Sequence, residues 1–245
     1  MIKAIVFDLD NTLIDFLARK ENAINASINA FLDAGLPTTF RSAKKEIYQI
    51  YSGFNMEDPR IFQKYLTKFG KENDGRLLAK ALFAYRKARM GGMYAFPRVR
   101  KTLLELSKKK IIMGILSDAP SIKVWLRLVE IGLEDFFDFV ITLDDTNATK
   151  ATNIPFDIVK KQSCMNPHEI LFVGDLPERD IVGGKLAGFK TVFASYGYYK
   201  GMLPRKLSKK KVQEIVVAYK PDYVLYKFDD ILKVLKKENR KKGKE

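Results

Sequence analysis

Residues 2–12 read Ile-Lys-Ala-Ile-Val-Phe-Asp-Leu-Asp-Asn-Thr. A short apolar run rich in β-branched side chains, ending abruptly in acids, predicts a buried strand with Asp8 and Asp10 at its carboxyl end. Ligands of open α/β sheets bind beyond the carboxyl ends of strands. Extended backbone through this stretch would point both carboxylates the same way. Two close carboxylates repel unless a cation or a proton lies between them. Taken alone, Asp10 could equally cap a following helix, so the remainder of the chain decides what the pair does.

The same signature recurs. Residues 111–116 (IIMGIL), 139–143 (FVITL), 170–173 (ILFV), 190–193 (KTVF) and 223–225 (YVL) predict further parallel strands covered on both faces. Helical patterns fall between them. Residues 98–109 put Val99, Leu103 and Leu106 on one stripe, and 121–131 open on Ser121 as an N-cap and stop before Gly132. Residues 178–187 and 229–237 are further helix candidates. Strand alternating with helix predicts an α/β fold, a Rossmann-like doubly wound parallel sheet.

Residues 16–92 break the alternation. They carry helix patterns at 17–34, 41–52, 58–69 and 73–90, punctuated by Gly35-Leu36-Pro37, by 53–59 and by 70–75. An all-helical domain, 16–92, is therefore expected inside a core of 1–15 and 93–245. Its aromatics Tyr48, Tyr51, Phe54, Phe62, Tyr65 and Phe69 recur at helical spacing, which suits the domain's own interior better than a substrate pocket.

Other strand ends supply matching chemistry. Ser117 follows 111–116, where a hydroxyl and backbone N–H groups could hold a phosphate. Lys150 lies beyond 139–143, where an ammonium could neutralise a carboxylate and a phosphoryl oxygen. Gly174-Asp175-Leu176-Pro177-Glu178-Arg179-Asp180 follows 170–173 and returns two more acids. Carboxylates in this number suit Mg²⁺, which takes carboxylate, water and phosphate oxygens. A turn serine, a surface lysine or a capping aspartate explains any one of these residues. Four consecutive strands delivering one such group each to the same edge is a stronger pattern.

That pattern resembles the haloacid dehalogenase superfamily, most of whose members are phosphatases. Asp8, Asp10 and Thr12 match its D-x-D-x-T motif, Ser117 its second, Lys150 its third, with Phe156 after it, and Gly174, Asp175 and Asp180 its G-D-x-x-x-x-D. The stretch from Gly183-Gly184 to Val192 is also typical, and the insertion is similar to the family's helical cap. The resemblance implies an Mg²⁺-dependent phosphohydrolase acting on a small phosphomonoester through an aspartyl-phosphate on Asp8. Asp10 would serve as acid and then base. Thr12, Ser117, Asp118 and Lys150 would surround the phosphate. The Asp8 and Asp175 carboxylates and the Asp10 carbonyl would hold the metal, with Asp180 supporting it. The sequence departs from the family where Asp118 replaces the usual Asn and Ala151 the usual Pro. A sugar phosphomutase keeps the same motifs; a dehalogenase lacks the second acid, so Asp10 favours phosphoester cleavage. A catalytically silent nucleic-acid-binding module is the alternative of a different class.

Composition sets outer bounds. The 245 residues are 47% hydrophobic and carry a net charge of +15, enough for one α/β domain with an accessory domain. Residues 231–245 hold seven basic and two acidic side chains, with no aromatics interleaved for stacking on bases, so nucleic acid is not the expected partner. No apolar run is long enough to cross a bilayer. With no export signal read at the start and one cysteine, the expected location is cytoplasmic. Cys164 is expected to pack internally and His168, the one histidine, to lie in a solvated turn.

Overall fold

The strand expected at 2–8 forms over Ala4–Phe7 (β1), and its side chains are buried on both faces. The computed structural model describes residues 1–52, 58–90, 92–198 and 207–241. After β1 come α1 (Phe16–Asp33), α2 (Phe40–Ser52), α3 (Ile61–Thr67) and α4 (Gly75–Arg89). The chain continues through α5 (Val99–Lys108), β2 (Ile112–Leu116), α6 (Ser121–Ile131), β3 (Phe139–Ile141), α7 (Leu143–Thr146) and α8 (Ile154–Ser163). It ends with β4 (Ile170–Gly174), α9 (Val182–Leu186), β5 (Lys190–Ala194), α10 (Lys209–Tyr219), β6 (Tyr223–Leu225) and α11 (Ile231–Lys241). The described residues divide into two compact units, one built from Met1–Asp15, Tyr94–Tyr198 and 207–241, the other from residues within Phe16–Met93.

The first unit is a six-stranded sheet of order β3-β2-β1-β4-β5-β6, parallel throughout. This is the α/β, Rossmann-like architecture that the alternation predicts. Alternate residues of β1 serve opposite faces, as a strand requires. Ala4 and Val6 join Phe156, Val159, Phe172 and Phe189 in one core cluster. Phe7 meets Phe228 and Phe137 instead, at ring-centroid separations of 5.7 and 6.5 Å. Phe7 and Phe228, fully removed from water, each stabilise the fold by about 1.5–3 kcal/mol.

The helices begin and end for local reasons. Gly132, at φ 64°, closes α6, and its N–H reaches the carbonyls of Leu128 and Val129. Ser121 is not the N-cap the sequence suggests. It is already helical, and its N–H is met by Asp144 Oδ2 at 2.9 Å, a partner brought in from α7. The helix expected at 178–187 opens as a π turn over Pro177–Ile181 before α9 begins. Cys164 is exposed at the left-handed end of α8 rather than packed internally.

In the second unit α1 and α4 lie close together: the buried Ser27 hydroxyl donates to the Ala81 carbonyl, 3.0 Å away. Ile24, Ile28 and Phe31, spaced along one face of α1, share a core with Ile47, Tyr51, Phe62, Tyr65 and Leu66. Tyr48 and Phe69 pack against it, so five of the aromatics noted in the sequence build this interior. Phe54 lies outside the described residues.

The points where the chain leaves and re-enters the first unit are tied together. Ile14 bridges Ala95 in antiparallel fashion, Asp15 N–H donates to the Tyr94 carbonyl (3.1 Å), and Phe96 N–H to the Leu13 carbonyl (2.9 Å). Among the described residues, no helix is long and apolar enough to cross a membrane.

Candidate active site

The nucleophile candidate is positioned by the sheet itself. Asp8 N–H donates to the Val173 carbonyl at 2.8 Å, extending the β1–β4 pairing one step past β1. The backbone then turns sharply. The N–H groups of Thr12, Leu13 and Ile14 all converge on the Leu9 carbonyl, and Asn11 takes φ 61°, a left-handed conformation that asparagine tolerates. The two acids take different cationic partners. Asp8 faces Lys150, whereas Asp10 Oδ2 pairs with Arg127 Nη1 at 2.6 Å.

Three acids share one buried pocket of charge. Ligand oxygens of Asp8, Asp175 and Asp180 lie within 4.8 Å of one another, and all three residues are buried. The Lys150 ammonium reaches Asp8 Oδ1 at 2.5 Å and Asp180 Oδ1 at 2.7 Å, with its side chain 4% exposed. Thr12 Oγ1 donates toward Asp175 Oδ1 over 3.5 Å. Asp180 Oδ2 accepts the Leu176 N–H at 2.9 Å. Gly174 makes this seat possible, because a Cβ there would stand 2.2 Å from Asp180 Oδ2. Burial pushes the Asp8 carboxyl up to about 7, even with Lys150 opposing the shift. Burial, then Asp8 and Asp180, raise Asp175 well above the carboxylate range. Burial pulls the Lys150 ammonium down, yet Asp180, Asp8 and Asp118 override it and leave its pKa raised.

Besides burial, these shifts reflect the balance of charge in the cluster. Among the described residues, three buried carboxylates face one ammonium, which leaves two negative charges uncompensated, and Asp10, though paired with Arg127, adds a smaller repulsion of its own. A set of hard oxygen donors short of two positive charges fits a divalent cation such as Mg²⁺.

The remaining predicted residues frame this cluster. Ser117 is buried, its N–H bonded to the Ile141 carbonyl (2.9 Å). Its Oγ accepts the Ala119 N–H at 3.2 Å, which leaves the hydroxyl proton available for donation. Asp118, expected beside the phosphate, spends its carboxylate elsewhere. Oδ1 accepts the Lys150 N–H at 2.8 Å and Oδ2 pairs with Arg179 at 3.1 Å, so the side chain braces the lysine loop. A carboxylate so engaged has no proton to offer a phosphate, and its charge would repel one.

Two participants carry no motif in the sequence. Arg127 sits on α6, and Tyr196 lies in the loop after β5. The Tyr196 hydroxyl donates to the Thr12 carbonyl at 2.7 Å, and its ring packs edge-on against Phe96. Gly197 follows so closely that a Cβ there would lie 1.5 Å from the Asn11 carbonyl oxygen. The β5 loop therefore clamps the loop carrying Asp10 and Thr12.

Known proteins resemble this chain in sequence and fold. A family model of haloacid dehalogenase-like hydrolases matches residues 5–194. The glyceraldehyde 3-phosphate phosphatase of Pyrococcus furiosus is 31% identical, with 97% of this chain and 95% of that protein aligned. The phosphoglycolate phosphatase of Yersinia pestis is 29% identical over 94% of this chain and 92% of its own. The fold superposes on that of the HAD-hydrolase YfnB from Bacillus subtilis, solved with magnesium bound, at a TM-score of 0.67 and 22% identity, covering 96% and 99% of the two chains. With the family matched across its sheet and phosphatases aligned along nearly the whole chain, the protein belongs to the haloacid dehalogenase-like hydrolases and is a phosphatase.

Proposed function

We propose that the protein hydrolyses a small phosphomonoester with Asp8 as nucleophile and Mg²⁺ as cofactor. The observation that carries this reading is the charge imbalance of the cluster among the described residues: Asp8, Asp175 and Asp180 against Lys150. The Asp8 and Asp175 carboxylates and the Asp10 backbone carbonyl would hold the ion, with Asp180 fixing its surroundings and Lys150. When bound, Mg²⁺ supplies positive charge that lets a phosphate dianion approach a carboxylate and offsets charge on the transferring group.

The chain's own groups do the rest. An Asp8 oxygen bonds to phosphorus while the bond to the leaving oxygen breaks, and Asp10 gives that oxygen its proton. Asp10 then takes a proton from the water that attacks the aspartyl-phosphate, which releases inorganic phosphate and restores Asp8. Ser117, Thr12 and Lys150 are assigned to the equatorial oxygens of the phosphoryl group. Asp118 is assigned to holding the lysine loop. The inserted helical unit, 16–92, is assigned the part of a cap that selects substrate and excludes water.

Relatives named for glyceraldehyde 3-phosphate and phosphoglycolate favour short phosphorylated metabolites as substrates. The single cysteine, exposed and free, suits the reducing cytoplasm where such metabolites occur. The test is phosphate release from a panel holding both compounds and several sugar phosphates, with Mg²⁺ or with chelator. Wild type should turn over only with Mg²⁺, and Asp8→Asn should abolish turnover. Turnover that survives Asp8→Asn, or ignores the chelator, would refute the assignment. Transfer to a sugar hydroxyl instead of water would indicate a mutase.

A further inference from the structure

Position 127 lies on the buried stripe of α6, next to Leu128 and one turn after Val124, where an apolar residue would be expected. It holds instead an arginine whose side chain is 4% exposed. Charged side chains are almost never buried this deeply unless paired. The pairing here is with Asp10, 2.6 Å away, the acid assigned to leaving-group protonation. We infer that Arg127 is a positioning residue for the general acid/base, fixing the Asp10 carboxylate through Oδ2 while the other oxygen serves proton transfer. This inference rests on the phosphatase mechanism proposed above.

Three features support it. Guanidinium does not deprotonate in proteins, so Arg127 orients a proton carrier without competing for its proton. The backbone around Asp10 is held by the Leu9 carbonyl turn, but that turn fixes only the main chain; the side-chain torsions need a partner of their own. α6 is itself anchored near the site, since it follows directly from Ser117 and Asp118 and its first N–H is capped by Asp144. A shift of α6 would therefore move Asp10 and the phosphate-binding serine together.

The consequence is selective. Departure of an alkoxide requires a proton, whereas departure of a nitrophenolate scarcely does. A correctly aimed general acid contributes about 10²–10⁴-fold. The experiment compares Arg127→Met, Arg127→Gln and Arg127→Lys with wild type in single-turnover rapid-quench assays, with Mg²⁺ present and enzyme in excess. It follows leaving-group release from an alkyl phosphate (glycerol phosphate) and from nitrophenyl phosphate.

In Arg127→Met the alkyl reaction should fall about 10²-fold further than the aryl reaction. Arg127→Lys should recover most of that difference, and Arg127→Gln provides the same comparison should the methionine variant unfold. Equal losses on both substrates would mean that the pair serves packing alone and would overturn the inference. Unchanged rates on both would overturn it as well. Asp8→Asn run alongside separates the two levels. If Asp8→Asn releases both leaving groups as wild type does, the Asp8 mechanism falls and this inference with it.

Discussion

Replacing Gly197 by alanine should disable the enzyme without touching any group that contacts substrate. The new Cβ would lie 1.5 Å from the Asn11 carbonyl oxygen and 2.7 Å from its carbonyl carbon, whereas real Cβ atoms essentially never come within 3.0 Å. The two segments must therefore separate by about 1.5 Å, the difference between 3.0 and 1.5. The β5 loop resists moving: Gly197 N–H is bonded to the Ala194 carbonyl at 3.1 Å and Ser195 N–H to the Leu225 carbonyl at 3.0 Å. Most of the displacement should fall on 10–12, which carry Asp10 and Thr12. A misplacement of about 1 Å can cost about 10²-fold in rate, equivalent to about 2.7 kcal/mol of transition-state stabilisation. Overpacking of this kind also costs about 1–3 kcal/mol of folding stability. Initial rates of phosphate release give kcat/KM, and urea unfolding gives the stability. A Gly197→Ala protein within about threefold of wild-type kcat/KM, at an unchanged urea midpoint, would refute the close clamp between the two loops.

Lys150→Met should abolish phosphate release and lower stability by about 3–5 kcal/mol, because it leaves buried Asp8 and Asp180 without their shared cation; urea titration measures it. Mg²⁺ at about a hundred times its Kd should add about 2.7 kcal/mol to wild-type stability in thermal melts, and markedly less to Asp175→Asn. Chelator-treated protein should lose stability as pH rises from about 4 to 7. Asp8 has a folded pKa of about 7 against an ordinary 3.8, so the native state binds the additional proton across that window and the Asp8 contribution is lost by its upper end. Urea midpoints measured across this range check the sign, and Asp8→Asn should flatten the slope. Tyr196→Phe should cost about 1–3 kcal/mol by stripping the Thr12 carbonyl of its donor, read by the same titration.

The residues legible in the sequence were those whose position along the chain also fixes their position in space. Asp8, Ser117 and Asp175 each follow a buried strand directly, and parallel pairing in the order β3-β2-β1-β4 brings those strand ends to one edge. Strand ends therefore announce themselves through hydrophobic pattern alone. Arg127 and Tyr196 were not legible, because each acts through a contact that only tertiary packing creates: Arg127 with Asp10, Tyr196 with Thr12. The Ser121 cap was misread for the same reason: the cap position falls one residue earlier, at Pro120, with the Ser121 N–H met by the remote Asp144 carboxylate. Asp118 shows the limit of reading by family motif. Its chemistry follows from the Lys150 N–H and the Arg179 guanidinium, neither visible from its sequence neighbours.

The antiparallel tie between 13–15 and 94–96 bears on how such a protein can change over evolutionary time. Seen from the sheet, the entire helical insertion is a loop whose two ends are already joined. The entropy of closing a loop grows only logarithmically, so doubling the insertion would cost about 0.6 kcal/mol. Helices could be lengthened, added or exchanged there while the strands that carry the charged cluster kept their register. On the role proposed for the insertion, the bridge at Ile14 and Ala95 separates two kinds of heritable variation, one in the reaction and one in the molecule that undergoes it.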